Sequence, residues 1–253
     1  MPRVSIVILL TLVALLSACQ QSGTAKQAQT DRVNLAEVNT ELGIQYMQRG
    51  EYEIAMQKFD KAIEADPTYA DAHNAYGLLH SRLGQLDDAE RSFQNALRLD
   101  ATDSATLNNY GQFLCKRKRY AEGQAQFLKA VENPLYKYPA VAFSNAGTCA
   151  MDAGDLEAAE THFRAALERD PRLPQALMQM IDLSFRHARH LPARGYLQRY
   201  LEVGRHTART LWLGVQIERA LGDKNAVSSY GLQLEKTFPD ANETRLYLES
   251  KTP

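Results

Sequence analysis

Apolar positions along this chain fall into three successive regimes. Val4 to Leu16 is a run of thirteen residues interrupted only by Ser5 and Thr11. Gln20 to Thr30, "QQSGTAKQAQT", holds no apolar residue larger than alanine. Beyond it, small and apolar residues recur with a long fixed period. The clearest unit is "LGIQYMQRGEYEIAMQKFDKAIEADP" at 42–67, and three further stretches align with it. Gly43, Gly77, Gly111 and Gly147 are spaced by 34, 34 and 36 residues. Twelve residues after each comes Ala55, Ala89, Gly123 or Ala159; four further on comes Phe59, Phe93, Phe127 or Phe163; three beyond that comes Ala62, Ala96, Ala130 or Ala166. A period of this length is the signature of a stacked array of helix pairs, because one pair cannot bury its apolar face alone.

The positions explain themselves as packing. A glycine on the first helix and an alanine on the second let two antiparallel backbones approach, and the phenylalanine fills the space above the contact. Gly50, Gly84 and Gly154 end first helices, where a positive φ is often required. Glu51 and Glu53, Asp87 and Asp88, and Asp155 and Glu157 open second helices, where acidic groups suit the dipole. The pattern resembles the tetratricopeptide repeat. It implies an all-α fold, a right-handed superhelix of about six repeats near 36–69, 70–103, 104–139, 140–173, 174–207 and 208–241. The last two are degenerate. The fifth keeps Ala193 but has Ile181 for the glycine and Leu197 for the phenylalanine; the sixth has Val215 and Gly231 at those places. Residues 242–249 are expected to cap the array. The extra residues between the third and fourth repeats fall in "ENPLYKYP" and predict a longer loop.

The N-terminal run is too short for a comfortable bilayer span and fits the apolar region of a signal peptide. Leu16-Ser17-Ala18-Cys19 resembles the bacterial lipoprotein box, which makes Cys19 the lipidated residue: a thiol is the group that is alkylated, and small residues let a peptidase hold the chain before the cut. Gln20 after the cysteine implies, by the same resemblance, sorting to the outer membrane. The expected organisation is therefore a signal peptide at 1–18, a lipidated N-terminus and flexible tether at 19–35, and the repeat domain at 36–253.

Charge and chemistry narrow the function classes. The chain carries 29 basic and 30 acidic residues, a net charge of −1, without the basic excess of a nucleic-acid protein. No phosphate-binding loop, His-Glu-x-x-His or nucleophile elbow is present, so neither an enzyme, a metal, a small-molecule substrate nor a cofactor other than the lipid on Cys19 is expected. His73 and His80 occupy places where the repeat usually has Trp and Tyr, and read as packing residues; "RHARH" at 186–190 reads as a solvated basic turn.

What the array offers is a groove lined by first helices. At its groove-facing positions the tetratricopeptide resemblance puts Ile44, Met47 and Leu78, with Asn74 and Asn108 beside them. The three apolar side chains are either a partner-binding patch or are covered by the segment 31–39. Cys115 and Cys149 lie at similar heights on neighbouring first helices. Packed helices usually stand 8–10 Å apart and a disulfide wants Cα atoms within about 7 Å. Small residues around Cys149 permit the closer approach, and a bond between the two thiols is expected in an oxidising compartment.

A narrower resemblance rests on "LNNYGQFLCKRKRYAEGQAQFLKA", the "NPLYKYP" insertion with "FSNAGTC", and "SYGLQLEKTFPDANE". Together with the lipobox these are similar to the type IV pilus biogenesis and stability lipoproteins, the PilW/PilF family. That resemblance implies an outer-membrane lipoprotein on the periplasmic face that binds the secretin or other pilus-assembly proteins and promotes assembly or stability of the secretin multimer. A scaffold of outer-membrane protein assembly and a regulator of cell-wall enzymes are the alternatives.

Overall fold

The computed structural model describes residues 29–251, and within them every regular element is helical. Cys19 lies outside the described residues. The helices come in pairs: α1 (29–48) with α2 (Tyr52–Ala65), α3 (Ala70–Arg82) with α4 (Leu86–Leu99), and α5 (Ser104–Lys116) with α6 (Tyr120–Val131). Then follow α7 (Pro139–Asp152) with α8 (Leu156–Arg169), α9 (Pro174–Arg186) with α10 (His190–Leu201), α11 (Ala208–Leu221) with α12 (Lys224–Thr237), and α13 (Asn242–Glu249). The chain divides into two compact units, one ending at Tyr110 and one beginning at Gly111.

Local sequence accounts for where each helix stops and starts. Asp66, Asp100 and Asp170 end second helices by the same device: the carboxylate accepts the backbone N–H two residues on, at 2.9 Å in each case. This is an Asx-turn, which turns the chain toward the next helix. Asp155 and Asp223 cap α8 and α12 by accepting from Ala158 N and Ala226 N. Pro139 and Pro174 occupy first helical positions, where no N–H is needed.

In the first unit, Phe59 and Phe93 are wholly buried, each over the glycine sixteen residues earlier. A β-carbon at Gly77 would come within 2.9 Å of the Phe93 ring. Tyr76 and Tyr110 extend these stacks, each with its ring 5.7 Å from the preceding phenylalanine. His80 stacks on Tyr76 at 4.2 Å, and His73 Nε2 meets the Pro67 carbonyl at 2.9 Å.

The helix α1 begins at residue 29, inside the stretch expected to be tether. Its inward stripe explains the early start: Ala36, Asn39, Thr40, Gly43 and Met47 are buried at helical spacing. Residues 31–39 are therefore part of the same helix as Ile44 and Met47 and do not fold back over them.

In the second unit, Phe127 and Phe163 repeat the arrangement over Gly111 and Gly147. The fifth pair keeps the volume by inversion: Ile181 is large where glycine stood, Leu197 smaller where phenylalanine stood, and both are buried. The sixth pair corrects the expected register. Gly214, not Val215, lies beneath the aromatic, which is Tyr230 and not position 231; a β-carbon at Gly214 would sit 2.9 Å from that ring. Gly231 serves the cap, where Tyr247 of α13 occupies the space a β-carbon there would need. The sixth repeat is one residue early because Ile181 and Gly214 are 33 apart, which a residue-by-residue count of 34 misses. The loop between α6 and α7 is long, as "ENPLYKYP" requires, and leaves Leu135 86% exposed.

Candidate partner-binding surface

The groove residues expected from sequence all belong to the first unit. Met47 is 4% exposed and sits in a core cluster with Ala55, Phe59, Ala75 and Leu79. It is a core side chain, contrary to the expectation that it faces a partner. α2 and α3 both reach its position, so a long flexible thioether fills the gap between them. Ile44 and Leu78 are half-buried, packed against that cluster from the solvent side. They keep apolar surface available where Met47 does not.

Asn74 and Asn108 are placed differently from each other. Asn74 is half-buried and its Oδ1 accepts from Asn109 Nδ2 at 3.1 Å, which joins first helices of neighbouring repeats. Asn108 is 7% exposed and offers little to a partner. The rim is acidic. Burial, with Asp103, Asp100 and Glu37 nearby, raises the Asp71 carboxyl above its ordinary range. Tyr69 is pushed up to about 12, first by burial and then by Asp71. The surface as built is a small apolar patch, Ile44 and Leu78, beside one amide and an anionic border. Such a patch can take an apolar side chain of a partner and disfavours a partner with acidic flanks.

In the second unit the structure joins Cys115 of α5 to Cys149 of α7, with Cα atoms 5.6 Å apart. The bridge lies in a cluster with Phe127 and Ala146 and forms part of the wall of a cavity of about 190 Å3, which Gln112, Asn145 and Thr148 also line. Three ion pairs that join separate elements, and that no sequence motif announces, hold this unit. Glu160 of α8, already paired with Arg164 one turn along its own helix, accepts from Arg189 at 2.8 Å. Arg194 of α10 is paired with the buried Glu218 of α11, and Arg209 with Asp182. Only the helical phase of each partner, read after the pairs are stacked, exposes these contacts.

Among the described residues no group of three or more His, Cys, Asp or Glu is placed to hold a metal ion, and no helix is long and apolar enough to cross a membrane.

Stacked helix pairs with glycine beneath an aromatic define a tetratricopeptide-repeat protein. Family profiles agree: the TPR repeat matches residues 43–84, and the tetratricopeptide repeat matches 70–103 and 144–210. The chain is 31% identical over 238 residues to the type IV pilus assembly protein PilF of Pseudomonas aeruginosa, covering 93% of this chain and 94% of that one. It belongs to the PilF family. A solved structure of Pseudomonas aeruginosa PilF superposes with a TM-score of 0.78 at 30% identity, over 87% of this chain and 99% of that one. PilW, described as a widely conserved type IV pilus biogenesis factor, superposes with a TM-score of 0.73 at 31% identity, over 84% of this chain and 98% of that one. The tetratricopeptide-repeat protein YrrB shares the fold, with a TM-score of 0.60 at 18% identity over 77% of this chain and 98% of that one.

Proposed function

We propose that this chain is a non-catalytic lipoprotein scaffold of type IV pilus biogenesis, anchored through a lipid on Cys19 to the periplasmic face of the outer membrane. There it binds the secretin and promotes assembly or stability of its multimer. The observation that carries the pilus role is the identity to PilF across almost the whole of both chains. The anchor is supported by Leu16-Ser17-Ala18-Cys19 at the end of the apolar run. The partner contact is supported by Ile44 and Leu78, apolar side chains left half-open on a first-helix surface.

The reading is tested in a deletion strain. Loss of heat- and detergent-resistant secretin multimers, and of surface pili, is expected, with both restored by the intact gene. Multimers at the normal level in the deletion strain would overturn the secretin role. The anchor has its own test: Cys19→Ser should abolish palmitate incorporation and release the protein from the outer-membrane fraction, and unchanged labelling and fractionation would remove it.

A further inference from the structure

Six turns join the first and second helices of the repeats. Four carry a glycine with positive φ: Gly50 at 80°, Gly84 at 74°, Gly154 at 85° and Gly222 at 81°. The other two hold Lys118 at 61° and Ala188 at 54°. The left-handed region brings a β-carbon against the following carbonyl, so both residues are strained where glycine would not be. These are also the two turns built from runs of cations: Lys116-Arg117-Lys118-Arg119 and Arg186-His187-Ala188-Arg189-His190.

The cations of the first turn divide by residue type. Arg119 is held by Glu122 through two hydrogen bonds of 2.7 and 2.6 Å, and Arg117 lies over the Phe113 ring at 5.7 Å. Both arginines are engaged within the turn and its helices. Both lysines, Lys116 and Lys118, are exposed. Strain retained at a turn tip calls for a reason, and here the residue that holds it displays a charge. At the second turn the strained residue is Ala188, which has no charge to display, and Arg189 is bound to Glu160.

We infer that Lys118, together with Lys116, binds anionic phospholipid headgroups, so that this edge of the second unit lies against the membrane. The lysine ammonium is a compact, hydrated point charge that meets a fluid headgroup layer without fixed geometry. An acidic protein segment is better met by the planar fork of arginine, and the arginines here are turned to internal partners. A lipid chain combined with a basic cluster is the arrangement that settles a protein stably on an anionic bilayer. The inference rests on the proposed anchor at Cys19, which brings the domain to the lipid surface.

The test uses the full-length lipoprotein reconstituted in vesicles of phosphatidylcholine alone or of phosphatidylcholine with phosphatidylglycerol, neither of which carries a primary amine. An amine-reactive label is read by mass spectrometry of the peptides. Labelling of Lys116 and Lys118 should fall several-fold in the phosphatidylglycerol vesicles and recover at high salt. Lys129 and Lys236, near the far ends of second helices, should label equally in both. Lys118→Gly and Ala188→Gly should both raise the melting temperature, and only Lys118→Gly should weaken protection of Lys116. Equal labelling of Lys116 and Lys118 in the two vesicles would overturn the inference. So would protection that appears only when solubilised secretin is added, which would assign the lysines to a protein partner. Intact mass reads the acyl chains on Cys19 separately: an unacylated chain whose lysines are still protected upholds the turn and removes the anchor.

Discussion

Gly123 of α6 faces the sulfur of Cys115: a β-carbon at position 123 would overlap that sulfur and stand 2.9 Å from the Gly111 carbonyl oxygen. The equivalent position in three other repeats is alanine, Ala55, Ala89 and Ala159, each fully buried. The one glycine in this column therefore makes room for the bridged sulfur, which cannot rotate away. Gly123→Ala should destabilise the domain by about 1–3 kcal/mol through overpacking, although alanine is the better helix former by about 1 kcal/mol. Urea denaturation without reductant measures this. In a Cys115→Ala, Cys149→Ala background the penalty should shrink, because the two sites share the same space. An alanine variant as stable as the parent would show that the sulfur does not occupy that position.

The bridge itself spans 34 residues. The chain-entropy argument puts its removal at about 3–4 kcal/mol, with the enclosed loop setting the figure. Peptide mapping of protein alkylated before any reductant should show the Cys115 and Cys149 peptides linked. Adding reductant should move the urea midpoint down. Two free thiols in material alkylated before reduction would refute the bond.

Ala188 offers a gain in stability. Its φ of 54° is a conformation that glycine adopts freely. Ala188→Gly should stabilise by about 1 kcal/mol, the left-handed penalty of about 1–2 kcal/mol less the added freedom of the unfolded glycine. Differential scanning calorimetry reads the shift, and a lower melting temperature would contradict the strain.

Met47 and Leu78 should separate core from surface. Met47→Ala opens a cavity beneath Phe59 and should cost about 2–5 kcal/mol. Leu78→Asp places a charge at a half-open position and should leave helicity intact while reducing secretin multimers in cells. Unfolding of the Leu78 variant would make that residue core and remove it from the binding surface.

Glu160 should make stability depend on pH in an acid window. The Arg189 hydrogen bonds, and after them Arg164, bring its carboxyl down to about 2. A carboxyl depressed in the folded state stabilises fully above its ordinary pKa of about 4.5 and loses that contribution as pH falls from there toward 2. The difference in urea midpoint between the parent and Glu160→Gln should shrink as pH falls from about 4.5 toward 2. A difference that stays constant to pH 3 would show that the carboxylate carries no linked stability.

The array was legible in the sequence because its contacts are local and periodic. Gly77 and Phe93 meet because they lie sixteen residues apart in a helix–turn–helix, and the next repeat meets its neighbour by the same spacing. Cys115 and Cys149 could be paired from their heights on adjacent first helices. The PilW/PilF likeness lies in linear motifs and needed no fold. Tertiary structure decided what depends on the phase of one helix against another. It moved the sixth repeat to Gly214 and Tyr230, because a single missing residue shifts every later position while each side chain alone stays plausible. It put Met47 in the core and left Ile44 and Leu78 half-open, since burial depends on which neighbour closes over a position. It also gave Lys118 its left-handed backbone, because φ at a turn is set by the two helices it must join and not by the residue that sits there.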